Sequence, residues 1–413
     1  MPATPRHPTR NRSSSAGRVV LVLLGTLGVV VTIGAVWFFQ SKKLVHEAEK
    51  RESPSIGPAA APPSGNVASS NNLNPAAIIA ALAQTDLGHG PLTAAQVDAW
   101  RRNLQQLSHL KTAAVPALQQ FLEKNQDLVF DTDADRQSTG CSSLRRALLD
   151  VLESNSGPEA ESAALAVLQR TADPTEIATI SRFLDRLAPG KHAQPAIAAA
   201  RETLKLAASP GWDGRDIAPL LEVLKHFAGP AAVPDLQQAS ATWFDYAPIV
   251  LADLPEAAGV PALIQWAKNP NAPLMAGNDL YLRMLAEVSV RSPAALTGLL
   301  ELAQANRIPS SAWDGIAAGL SGMQIRLAQR FFDPPSPLPP PPGIRSFHIS
   351  AGNQSFVELP ADSTATAAQI ADRTQAVERL LAATDNPFGQ QALQKAKQTL
   401  GRPPGKGGTP AQP

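Results

Sequence analysis

Between about residues 74 and 329, apolar side chains recur at steps of three and four, the spacing that puts them on one face of a helix. In "DIAPLLEVLKHFAGP", Ile217, Leu220, Leu221, Leu224 and Phe227 form such a stripe, and Gly229 followed by Pro230 supplies a stop. The next phrase, "GPAAVPDLQQ", predicts a second start: Pro234 suits the first turn of a helix, where its missing N–H costs nothing, and Val233 and Leu236 open a new buried stripe. Near-copies stand at residues 113–120, "AAVPALQQ", and 258–265, "AGVPALIQ". The same proline-x-apolar unit occurs at Pro116 with Leu118, Pro219 with Leu221, Pro261 with Leu263 and, more loosely, Pro195 with Ile197. These predict helix starts in series.

A second amphipathic helix follows two of the copies. Residues 142–154, "SSLRRALLDVLES", carry Arg145 near their start, and residues 280–289, "LYLRMLAEVS", carry Arg283. A proline-started helix followed by an arginine-bearing helix resembles the HEAT repeats of the bacterial, lyase-like type. The resemblance implies an α-solenoid of antiparallel helix pairs, a right-handed stack that serves as a binding surface rather than as a catalyst. It is partial. The prolines at 116, 195, 219, 234 and 261 lie 79, 24, 15 and 27 residues apart, whereas an intact array recurs at about 30 to 45. An irregular armadillo-type domain is the neighbouring expectation. The expected fold class is therefore all-α, with the repeat domain over residues 74–332.

Outside that block the pattern changes. Residues 19–39, "VVLVLLGTLGVVVTIGAVWFF", contain no charge, and a helix of that length spans about 31 Å, enough to cross a hydrocarbon core of roughly 30 Å. Trp37, Phe38 and Phe39 close the run, with Lys42 and Lys43 beyond; a cleaved signal peptide would have a shorter apolar core and a small-residue exit. The reading is a single transmembrane helix behind a basic tail, residues 1–18, that holds Arg6, Arg10, Arg12 and Arg18. The short tail favours a cytoplasmic N-terminus, with most of the chain on the extracytoplasmic side of the cell membrane. Residues 40–73 read as a juxtamembrane segment and a flexible Pro/Ala/Ser tether. The polyproline stretch 333–343 marks a second linker. Residues 344–360 alternate weakly, as a hairpin or strap would. Two helices are expected within 364–400, the first with Ile370, Val377, Leu380 and Leu381 on one packing face, and residues 401–413 form a tail.

Charge and candidate chemistry narrow the function classes. The 36 basic and 35 acidic residues leave a formal charge of +1, which gives no footprint for nucleic acid. A single cysteine, Cys141, excludes an intrachain disulfide and a thiolate metal cage. In "DTDADRQSTGCS", Asp131, Asp133 and Asp135 occupy positions 1, 3 and 5 of a calcium loop. Arg136 stands where that loop needs glycine and Ser142 where it needs glutamate, so the metal reading is weak. The seven histidines show no HxH or HxxxH spacing, and "GLSGM" at 319–323 lacks the second glycine of a nucleophile elbow. No cofactor is expected. An enzyme or receptor would need a site assembled from distant residues such as Asp131, Asp133, Arg145, His192 and His226. The expected role is a protein-interaction scaffold for a protein partner, with a structural spacer as the third reading. Trp243, Trp266 and Trp313 are the candidate partner-binding anchors, since tryptophan suits buried contact at an interface.

Overall fold

The computed structural model describes residues 74–87, 91–124, 126–243, 245–269, 278–333, 344–349, 354–362 and 364–401, all of them in the unit Asn71–Pro413. The expected span at 19–39, the tails and most of the polyproline linker lie outside these residues. Among the described residues no helix is long and apolar enough to cross a membrane.

The chain is mostly helical. In order, α1 is Pro75–Ala83, α2 Ala94–Leu110, α3 Val115–Leu122, α4 Asp133–Thr139, α5 Leu144–Glu153, α6 Pro158–Leu168, α7 Pro174–Leu187, α8 Ala193–Ala207 and α9 Ala218–Ala228. There follow α10 Val233–Ala239, α11 Ala247–Asp253, α12 Val260–Lys268, α13 Asn278–Val288, α14 Pro293–Gln304, α15 Trp313–Leu320, α16 Ala367–Ala383 and α17 Pro387–Leu400. Local chemistry accounts for most of the starts. Prolines occupy the first turn of α1, α3, α6, α7, α9, α10, α11, α12, α14 and α17. Thr93 and Thr366 each form a capping box, with Gln96 and Gln369 respectively.

The repeated phrase folds as its letters predict. After α9, Gly229 turns the chain at φ 52° and ψ −127°, a 3₁₀ turn spans Gly229–Ala232, and α10 begins with Pro234 in its first turn. Before α3 the same joint recurs with a lysine in the glycine's place: Lys111 sits at φ 50° and ψ −132°, ahead of the 3₁₀ turn Lys111–Ala114. A non-glycine residue at positive φ carries backbone strain.

Packing sorts the helices into two layers. In one, α3 packs on α6 and α6 on α8, and farther along α12 packs on α14 and α14 on α16. In the other, α5, α7, α9, α11, α13, α15 and α17 each pack on the next. Helices α3 and α5, and the sequence neighbours α6 and α7, α8 and α9, α10 and α11, α12 and α13, and α16 and α17, face one another across the layers. Val377 and Leu380 are fully buried, so α16 joins the stack as its stripe predicts, and the helical layers run on past the polyproline break.

A three-stranded antiparallel sheet interrupts the helices. Strands β1 Gln324–Leu327, β2 Arg345–Ile349 and β3 Gln354–Leu359 lie in the order β1-β3-β2, with Gln324 opposite Leu359 and Arg345 opposite Glu358. The weakly alternating stretch is a hairpin, one of the two forms expected for it, and it is completed by β1, a strand the helical pattern before residue 329 concealed. From β1 onward the chain crosses the second layer in reverse order. Ile325 and Arg326 meet Glu287 of α13, Arg330 meets Asp253 of α11, and Phe332 meets His226 of α9. With the first layer on one side and this strap on the other, Ala218 through Leu224 in α9, Ala247 through Ala252 in α11 and Tyr281 through Ala286 in α13 are all buried.

Candidate functional site

The first layer is broken on both flanks of α8. Helix α10 is short and packs on α11 and on its own lead-in turn, which leaves a cleft of about 300 Å³ between it and α8. Arg201 and Asp235 bridge that cleft through three contacts, Nε to Oδ1 at 3.0 Å, Nε to Oδ2 at 3.1 Å and Nη2 to Oδ2 at 2.8 Å. Burial lowers and the Asp235 hydrogen bond raises the Arg201 pKa, the hydrogen bond being the larger, so the guanidinium stays charged. Lys205, Gln238, Thr242 and Trp243 line the remainder. Trp243 is half-buried, with its amide donating to the Ala239 carbonyl at 2.8 Å. On the other flank of α8 a second cleft, about 340 Å³, is bordered by Arg170, Glu202 and Leu206, and Leu206 is 48% exposed. Helix α8 is thus a ridge between two clefts with apolar floors and charged rims.

The other expected anchors are placed differently. Trp313 is 1% exposed and packs against Gly389, where an added Cβ would approach its ring to 2.7 Å. It is a core residue joining α15 to α17, which removes it as a surface anchor. Trp266 is half-buried and stacks on Tyr281 with centroids 5.4 Å apart and planes at 8°. Of the three, Trp243 is the one that lines a cleft.

The acidic stretch folds as a short helix. Residues 133–139 form α4, capped by Thr132. Asp135 is buried and points back into the fold, where it accepts the Leu92 amide at 2.7 Å and the Thr132 hydroxyl at 2.6 Å. Those two hydrogen bonds, the Leu92 amide foremost, hold its carboxyl below the usual range. Asp133 pairs with Arg136 at 2.7 Å on the surface and Asp131 is exposed. Helix formation replaces the turn because Arg136 occupies the position where a calcium loop requires a glycine bend. Among the described residues no group of three or more His, Cys, Asp or Glu side chains is arranged to hold a metal ion.

The residues from which a distant-residue site would be assembled fall into separate groups. Arg145 binds Glu176 through Nε at 2.7 Å and Nη2 at 2.8 Å and donates a third bond to the Leu122 carbonyl at 2.7 Å. His192 contacts Glu161 at 2.7 Å. His226 contacts Asp185 at 3.0 Å. These contacts knit neighbouring helix pairs together.

Sequence reasoning missed the charged groups under the strap. Arg283 binds Glu358 of β3 at 2.7 Å and Glu287 at 3.3 Å, while Glu287 accepts the Ile325 amide at 2.9 Å and reaches Arg326 at 3.4 Å. Burial outweighs both arginines and pushes the Glu287 carboxyl up to about 7. Farther along, Lys225 bridges Glu222 at 2.7 Å and Asp253 at 2.9 Å. Burial raises the Glu222 carboxyl, with Lys225 offsetting only part; at Asp253 burial is outweighed by Lys225, Arg326 and Arg330, and the carboxyl falls below its usual value. One local signal was available: Glu287 lies four residues after Arg283 and Lys225 three after Glu222, spacings that place each pair on one helix face.

No protein-family description, curated protein or solved structure matches this chain.

Proposed function

We propose that the protein is a membrane-anchored, HEAT-like α-solenoid that serves as a protein-interaction scaffold, with residues 19–39 as its anchor and the helical body on the extracytoplasmic side. The observation that carries this reading is the open first-layer cleft between α8 and α10, where half-buried Trp243 and the cation Lys205 stand together. Helix pairs stacked in two layers offer long surfaces made by neighbouring elements, the usual basis of binding by repeat proteins. A half-buried indole beside a charged rim has the make-up of an interface anchor. The Arg201–Asp235 bridge fixes the separation of the walls.

The test is cross-linking in the native membrane followed by identification of the captured proteins, repeated with Trp243→Ala. A partner recovered with the parent chain and reduced at least fivefold with the variant supports the reading. Equal recovery moves the docking site off the cleft, and recovery of no partner under several conditions rejects the scaffold. Protease protection in sealed vesicles, read with a tag at the C-terminus, tests the orientation: cleavage of the tag only after the cytoplasmic side is opened would overturn it.

A further inference from the structure

The strap continues beyond the sheet. Sheet pairing stops at Leu327, and Ile325 and Leu327 are buried, so β1 is fixed. The next residues, Ala328, Gln329 and Arg330, are exposed. Two side chains seat this end on the second layer. The Phe332 ring stacks on His226 with centroids 4.2 Å apart and planes at 14°, and meets the edge of Phe227 at 5.4 Å and 87°. Arg330 reaches Asp253 at 3.2 Å and its own neighbour Asp333 at 2.5 Å.

The seat beneath is acidic, and Arg330 is one of two cations it holds. Asp253 is shared with Lys225, and Lys225 also neutralises one oxygen of Glu222. Glu222 is 2% exposed, and its other oxygen has no partner among the described residues. A buried carboxylate oxygen without a donor is costly, and a guanidinium offers donors in a planar fork that suits a carboxylate. Beside it, Phe332 meets His226 stacked and Phe227 in a T-shape, the two arrangements aromatic pairs favour. The strap therefore displays the chemistry its seat recognises: a guanidinium, one residue, then a ring.

We propose that the face of α9 and α11 bearing His226, Phe227 and Asp253 is a peptide-binding site, closed by the chain's own residues 328–333, which takes from a partner protein an extended segment with an arginine two residues before an aromatic ring. The proposal rests on the reading of the chain as an interaction scaffold, and it concerns a different layer from the Trp243 cleft. The incoming segment exchanges like for like: ring for ring on His226 and arginine for arginine at Asp253. The buried strand β1 stays in place. The strap is then a competitor in cis, and its local concentration weakens every trans ligand.

The experiment uses the full chain and a fluorescent synthetic peptide with the sequence of residues 326–334, titrated by polarisation. The strap variant Arg330→Ala/Phe332→Ala binds the peptide at least tenfold more tightly than the parent chain does, and a peptide with glutamate in place of the arginine at 330 does not bind. Adding Asp253→Asn to the strap variant weakens the peptide at least fivefold. Equal affinity of parent and strap variant, or indifference to the arginine-to-glutamate change, overturns the proposal. Should the strap variant fail to fold, tryptic cleavage of the parent chain after Arg330 gives a second readout: excess unlabelled peptide accelerates it at least threefold, and an unchanged rate overturns the proposal. Loss of partner capture by Trp243→Ala has no bearing on these readouts, so the two ideas fail separately.

Discussion

Arg145 and Arg283 hold the same place in two copies of one phrase, near the start of the helix that follows a proline-started partner, yet they are satisfied by different means. Arg145 on α5 is met from within the helical stack. Glu176 on α7 accepts two of its bonds, the Leu122 carbonyl a third, and Thr171 donates to Glu176 at 2.6 Å, so donors and acceptors are well matched. Arg283 on α13 turns instead to the sheet, where Glu358 is its shortest partner, and its Nη2 is buried without a partner among the described residues. The difference shows two ways of closing a helical layer. Near α5 and α7 the next pair suffices; near α13 the chain needs a strap and a sheet to complete the burial of charge.

The largest effect separating the two regions should come from Glu176→Ala. It leaves Arg145 charged in an enclosed site, with a side chain only 7% exposed, and removal of one partner of a buried pair costs about 3–5 kcal/mol. Urea denaturation measures it; a loss below about 1 kcal/mol would mean that the pair adds no more than a surface bridge does.

Next in size is a pH effect confined to the Arg283 region. Burial, the chief cause, holds the Glu287 carboxyl up at about 7 in the folded chain against its ordinary 4.5. The groups facing it are Arg283 on its own helix, Arg326 and the Ile325 amide on β1, and the charge of Arg373 on α16. Because the pKa is raised on folding, the stabilising contribution is complete below about pH 4.5 and is lost as pH rises through 7. By linkage this amounts to roughly 3 kcal/mol across the window. Stability measured from pH 5 to 8 in parent and Glu287→Gln checks it: the variant's slope is flatter, and identical slopes would contradict the assignment.

Glu358→Ala comes third. It strips Arg283 of its shortest bond but leaves Glu287 in reach, so the loss should be about 2 kcal/mol, typical of a hydrogen bond to a charged group. Hydrogen exchange of the β1 amides should rise with it if the sheet is what completes the Arg283 site; unchanged β1 protection would break that link. The smallest effect has the opposite sign. Lys111→Gly relieves positive-φ strain at the joint before α3 and raises stability by about 1 kcal/mol, whereas Gly229→Ala at the matching joint destabilises by a similar amount. Paired thermal melts read both.

Much of the helical architecture was legible along the chain. The stripe of Ile217, Leu220, Leu221, Leu224 and Phe227, and the prolines at 116, 195, 219, 234 and 261, placed helices where they stand, because periodicity and the missing N–H act on neighbours in the sequence. The packing of α16 could be read from its own stripe. Of the candidate site, only Trp243 could be recognised beforehand, and its separation from the core residue Trp313 could not. Composition names an indole without saying which side of it other helices cover.

By itself the sequence determined the helix starts, their two-faced patterning and the joint at Gly229, since these depend on backbone preferences over a few residues. Only the tertiary structure decided what each buried charge would meet: Arg145 and Glu176 across helices, Arg283 and Glu358 between helix and sheet, Phe332 on His226. Such contacts join residues far apart along the chain. Their free energy depends on geometry and desolvation that no local pattern encodes.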